Sequence, residues 1–172
     1  MNPAYVLTHM NPKNQSINDI GRGGITLYDA MHCAALCHGI ERKYISTARL
    51  KWAGDESDKG WLEIQLWLRM ADEAYRKKWK VPVGKELLRR LARLAIEETL
   101  KPLPARDNER NGYSTIRFKY INSDGNIISK SAYSQTWSER YEMTYNIFNA
   151  WADVAWSQIQ RNQRDTDISN PT

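Results

Sequence analysis

Two sets of side chains carry the chemistry this chain could perform. The first is cationic. Between Arg76 and Arg106 stand ten Lys or Arg against three Glu, an excess of seven. Lys85, Arg89 and Arg93 recur at about one helical turn, with Arg90 beside them. Long cations so spaced share a helix face and suit phosphate oxygens better than base edges. The second set is short and uncharged. Ser131, Ser134, Gln135 and Ser138, led by Lys130, fall on one side of a helical stretch. Gln can pair with adenine, and Ser with either base edge, in the DNA major groove. Lys130 and a helix N-terminus would favour a nearby phosphate. Arg117 and Lys119 are candidates for flanking backbone contacts. Each face also fits the solvated side of an ordinary amphipathic helix.

Other chemistries find less support. His32, Cys33, Cys37 and His38 share one short stretch, but the only other His is His9. Tetrahedral zinc takes ligand pairs from two places, so Cys33 and Cys37 are read as small buried residues beside Ala30 and Ala34. No metal and no cofactor is expected. Gly21-Arg-Gly-Gly lacks the Lys-Ser/Thr of a phosphate loop, and no hydrolase spacing occurs. The acid pairs Glu97/Glu98 and Asp165/Asp167 form no evident dyad. The chain is therefore not expected to be an enzyme, and a metal-dependent nuclease lacks its acidic cluster.

The elements that must position these faces follow from periodicity. Lys130 to Ile159 holds Tyr133, Trp137, Tyr141, Tyr145, Phe148, Trp151, Ala152, Ala155 and Ile159 at three- and four-residue steps. That is one apolar helical stripe, with Ser129 as its N-cap. Thr136-Trp-Ser-Glu139 would make a second capping box, leaving open whether the stretch is one helix or two. Further helices are expected from Ile25 or Thr26 to about Cys37 or His38, over Arg42–Trp52, from Asp58 to Trp79 and over Lys85–Leu100. In the third, Trp61, Ile64, Leu68, Ala71 and Tyr75 form one stripe, and Leu62, Leu66, Met70 and Ala74 another. So broad a surface predicts burial against more than one neighbour. Ile116, Phe118 and Tyr120 alternate with polar residues, Asn122-Ser-Asp-Gly-Asn supplies a turn, and Ile127-Ile128 begins a return strand.

The expected fold is mainly α: a helical bundle with one small β-hairpin before a long C-terminal helix. Residues 1–24 read as a flexible arm, 25–100 as the bundle with its basic fourth helix and 101–112 as a linker. Residues 113–162 read as the hairpin plus long helix, and 163–172 as a disordered tail. The net charge of +5 suits an anionic partner. Seven Trp and nine Tyr supply rings with polar tips. No apolar run would span a bilayer, and two Cys without a secretion signal suit a reducing cytoplasm.

The stretch Ile128-Ser-Lys-Ser-Ala-Tyr-Ser-Gln-Thr-Trp-Ser-Glu-Arg-Tyr resembles the Ser/Tyr/Trp-containing helical segment of the late-gene antitermination (Q-type) proteins of lambda-like phages. Ala48-Arg-Leu-Lys-Trp-Ala-Gly-Asp, followed by a long helix and the basic helix Leu87–Ile96, adds a second resemblance. Where that family often carries paired cysteines, this chain has the Cys-free stretch Tyr113–Ile128. The resemblance implies a cytoplasmic, phage-type, DNA-binding transcription regulator. Its partners would be double-stranded DNA near a late promoter and RNA polymerase, with no membrane. The alternative is a small protein-binding adaptor or inhibitor that uses exposed Trp and Tyr and binds no nucleic acid.

Overall fold

The computed structural model describes Leu7 and residues 27–82, 85–101 and 112–169. The expected arm, apart from Leu7, and nearly all of the expected linker lie outside the described residues, as do the last three positions. The helices are α1 (Leu27–Leu36), α2 (Arg42–Ala53), α3 (Lys59–Arg76), α4 (Lys85–Leu100), α5 (Gly112–Ile121), α6 (Lys130–Ala132) and α7 (Ser138–Ser169), with a π-helical segment over Tyr133–Trp137 between the last two. Among the described residues no helix is long and apolar enough to cross a membrane. The chain divides into two units, residues 1–56 with 150–172 and residues 57–149, the second division falling inside α7.

The first unit closes on Leu7, Cys33, Leu36, Cys37, Ala48, Ala152, Ala155 and Ile159. Ala48 of α2 and Ala152 and Ala155 of α7 share this core with the two cysteines. Burial and the neighbouring Cys33 push the Cys37 thiol up to about 12, against the pull of Arg49. A thiol so placed is neutral and acts as a small hydrophobe. Asn162 Nδ2 donates to the carbonyls of Leu36 (2.8 Å) and His38 (3.1 Å). Those bonds satisfy acceptors that the end of α1 leaves open. α7 continues to Ser169, so the expected disordered tail is helical over residues 163–169. At the end of α2, Gly54 adopts φ 66°. The Gly54 amide donates to the Leu50 carbonyl, the αL helix closure, which needs a residue tolerant of the left-handed region, and the Asp55 amide adds a bond to the Arg49 carbonyl.

In the second unit α3 packs against α4, and α4 against α5. Leu62, Leu66, Met70 and Ala74 of α3 are buried, as are Leu87, Leu88, Leu91, Leu94 and Ala95 of α4. The other stripe of α3 departs from expectation. Ile64 and Leu68 are 48% and 50% exposed, and Tyr75 85%. One buried stripe is enough to bind α3 to its neighbour.

The expected β-hairpin is not seen among the described residues. Gly112–Ile121, which includes the expected first strand, forms α5. A five-residue alternation is too short to fix a period, and tertiary contacts decide it. As a helix the segment buries Ile121 and places Phe118 against Tyr133 at 6.0 Å. The turn residues then serve a helix end. Asn122 Nδ2 donates to the Phe118 carbonyl, while Asn122 Oδ1 accepts from the amides of Ile127 (2.6 Å) and Ile128 (3.2 Å). Amides that a return strand would have spent on a ladder are thereby used.

Ser129 caps the last helical run as expected, its Oγ accepting from the Ala132 amide at 3.2 Å. The break considered near Thr136 is the π segment. Tyr133, Trp137 and Tyr141 are all buried yet spaced by four. In an α-helix each such step drifts about 40° around the axis. A wider π turn absorbs part of that drift and keeps the three rings on one inner face.

Candidate nucleic-acid interface

The cations expected on α4 are mostly engaged. Glu63 of α3 accepts from Arg89 Nε (3.0 Å) and from Arg93 Nη2 (3.1 Å). Arg90 donates from Nε to Glu86 and from Nη1 to the Ile121 carbonyl at 2.6 Å, a cation at a helix C-terminus. The Lys85 side chain lies outside the described residues. Arg117 turns inward. It donates to Glu98 from Nε (3.0 Å) and Nη2 (2.6 Å), pairs with Glu142, and covers the Tyr141 ring at 4.5 Å. Lys119 is exposed. Three of the cations in the basic stretch, Arg89, Arg90 and Arg93, are thus spent on binding helices together.

Glu63 gives this pairing a pH signature. Burial alone would raise its carboxyl, but hydrogen bonds from Arg93 and Arg89 win and hold it below its ordinary 4.5. A depressed carboxyl contributes stability that is fully present above the unfolded value and lost as pH falls through the folded one. Wild type should therefore be more stable than Glu63→Gln at pH 7, and the difference should shrink steadily as pH falls below 4.5 in a urea-denaturation series. A gap that stays constant down to strong acid would show that the carboxylate charge is not used.

The polar face is where the sequence placed it. Lys130, Ser131, Ser134 and Gln135 are all exposed, and Ser138 Oγ donates to the Ser134 carbonyl at 3.1 Å. What lies beside this face was not foreseen. After α3 the chain turns sharply. Lys78 adopts φ 51°, and the amides of Lys78 and Trp79 donate to the carbonyls of Tyr75 and Ala74. This is a Schellman closure with Lys where Gly is usual, a conformation that costs a β-carbon about 1 kcal/mol. The turn sets Trp79 edge-on to Trp137 at 6.3 Å. The Arg140 guanidinium lies over both rings, 4.4 Å from the Trp79 centroid and 4.3 Å from that of Trp137.

These groups line a cleft of about 650 Å³ bounded by Lys77, Lys78, Trp79, Lys80, Val81 and Pro82 on one wall and Thr136, Trp137 and Arg140 on the other. A neighbouring hollow of about 410 Å³ brings Gln135 together with Lys77, Glu139, Arg140 and Met143. Lys77 Nζ is 3.8 Å from Glu73 and 3.6 Å from Met143 Sδ. The signal that could have found this wall is the run Lys77-Lys78-Trp79-Lys80 before Pro82, three cations around one ring at a helix end. Its lysines enter the charge count, and Lys77, Lys78 and Trp79 fall within the helix expected to run to Trp79. No family model, curated protein or solved structure matches this chain.

Proposed function

We propose that this chain binds double-stranded DNA, with the exposed face Lys130, Ser131, Ser134 and Gln135 entering the major groove and the lysines of the adjoining cleft holding the backbone. The observation that carries this is the placement of Gln135 beside a wall bearing Lys77, Lys78 and Lys80. Base-reading groups need phosphate contacts to fix their register, and here both sit around one helix start. Duplex is favoured over single strands because the Arg140 guanidinium lies over the two Trp rings on which unpaired bases would stack. Arg89 and Arg93 are half exposed but share Glu63, which offsets part of the charge they would bring to a backbone phosphate. A role as a cytoplasmic, phage-type antitermination regulator, with RNA polymerase as second partner, rests only on the resemblances of the Ile128–Tyr141 segment and of Ala48–Asp55 with the helices that follow it. The exposed stripe Ile64, Leu68 and Tyr75 favours a second reading, a protein partner docking on α3.

Fluorescence anisotropy with a preferred duplex and a scrambled one tests the division of labour. Lys78→Ala with Lys80→Ala should weaken binding to both duplexes and lower the slope of log K against log salt by about 2. Gln135→Ala should lose roughly 1–3 kcal/mol on the preferred duplex only. Equal effects of both changes on both duplexes would remove the base-reading role, and no binding to either would turn attention to the α3 stripe.

A further inference from the structure

We propose that the cleft between the Lys77–Pro82 turn and the π segment is a preformed seat for one singly charged phosphate diester group, with Arg140 as its principal donor. This deepens the duplex-binding reading and rests on it only for the source of the phosphate. Arg140 lines the cleft with part of its side chain exposed, and its Nη1, closed to solvent beside the rings, has no hydrogen-bond partner. A buried donor on a charged group is costly to leave unmet, and such groups in folded proteins nearly always find a partner. The two Trp rings pin the guanidinium plane, so little motion remains to be lost when an anion arrives. A guanidinium fork matches two oxygens of one phosphate, which a single lysine cannot do.

Lys78 and Lys80 are exposed on the opposite wall, and neither has a carboxylate partner among the described residues. They add charge without competing for the same geometry. Burial disfavours the charge on Arg140, while the adjacent Glu139 supports it. An entering anion would restore what burial removes. Glu139, exposed on the neighbouring hollow, also sets a limit on the ligand. Its carboxylate repels a second negative charge, so a diester is preferred to a doubly charged monoester. The left-handed Lys78 fits this assignment, since strained turns persist where the surroundings need their geometry.

The test uses the whole chain and dimethyl phosphate as probe, followed by NMR through the indole N–H signals of Trp79 and Trp137 and the Nε–H signal of Arg140. Chloride at matched ionic strength is the blank. A saturable shift of these signals is expected, weakened at least about tenfold in Arg140→Met, which keeps a chain over the rings but removes the fork. Arg164→Ala, at an exposed position on the C-terminal part of α7, should leave it unchanged. Inorganic phosphate near pH 8, mostly doubly charged, should bind more weakly than dimethyl phosphate in wild type and gain on it in Glu139→Gln. No saturable shift, or a shift equal in wild type and Arg140→Met, overturns the proposal. Should Arg140→Met unfold, the charge-only pair Lys78→Ala and Lys80→Ala must weaken the probe, and failure to do so overturns it as well. Saturable probe binding with no duplex binding would keep the phosphate seat and remove the DNA reading. Duplex binding without a probe response would do the reverse.

Discussion

Replacing Glu98 with alanine is expected to cost about 3–5 kcal/mol of stability, the loss typical of breaking a buried ion pair from one side. Glu98 is buried and accepts three bonds, two from Arg117 and one from the Tyr141 hydroxyl. These residues come from α4, α5 and α7, so one carboxylate joins three helices. Burial alone would lower the proton affinity of Arg117. The Glu98 hydrogen bonds, with Tyr141 and Glu142 nearby, raise it above the ordinary guanidinium range instead. Burial and the same carboxylate likewise raise the Tyr141 hydroxyl, which stays a donor at any working pH. Removing Glu98 leaves Arg117 with the half-exposed Glu142 and leaves the Tyr141 hydroxyl unpaired. Urea denaturation should show a lower midpoint with little change in slope. The double replacement Glu98→Leu with Arg117→Met should recover much of the loss, because matched apolar groups need no solvation. A cost under about 1 kcal/mol for Glu98→Ala would mean the network is open to solvent.

Trp137→Ala should be nearly as damaging, at about 3–5 kcal/mol. Its ring is 3% exposed and ends the π segment. Truncation would leave a cavity beneath Trp79 and take away one of the two rings that position Arg140. Two losses should therefore appear together: a lower denaturation midpoint, and weaker phosphate binding in whatever fraction stays folded. Trp137→Phe should cost far less stability, because a ring still fills the site. If Trp137→Ala left the midpoint unchanged, the inward turn of the π segment would be wrong.

The elements were legible where one physical signal dominated. Ser129 capping, the Lys85–Leu100 helix and the Tyr133–Ile159 stripe follow from hydroxyl chemistry and apolar period. The α5 segment was not legible, because Ile116, Phe118 and Tyr120 fit either period over so short a run. Its helical form depends on Arg117 reaching Glu98 and Phe118 reaching Tyr133, partners that no local pattern reveals. The α3 stripe misled for the opposite reason. Ile64, Leu68 and Tyr75 have the spacing of a buried face, but spacing does not say whether a neighbour exists. The candidate interface was half legible. Exposure of Lys130, Ser131, Ser134 and Gln135 follows from their place opposite the aromatics. That Arg89 and Arg93 are engaged depends on Glu63, far away in sequence, and the wall at Lys77–Pro82 depends on the left-handed turn at Lys78.

Selection from a pool of random duplexes at moderate salt, with the retained DNA sequenced, bears most directly on the claim that this chain reads DNA. One enriched motif is expected, and it should fade in Gln135→Ala while overall retention falls in Lys78→Ala with Lys80→Ala. Uniform retention, or none, would contradict the base-reading account and leave the exposed α3 stripe, with a protein partner, as the surface to pursue.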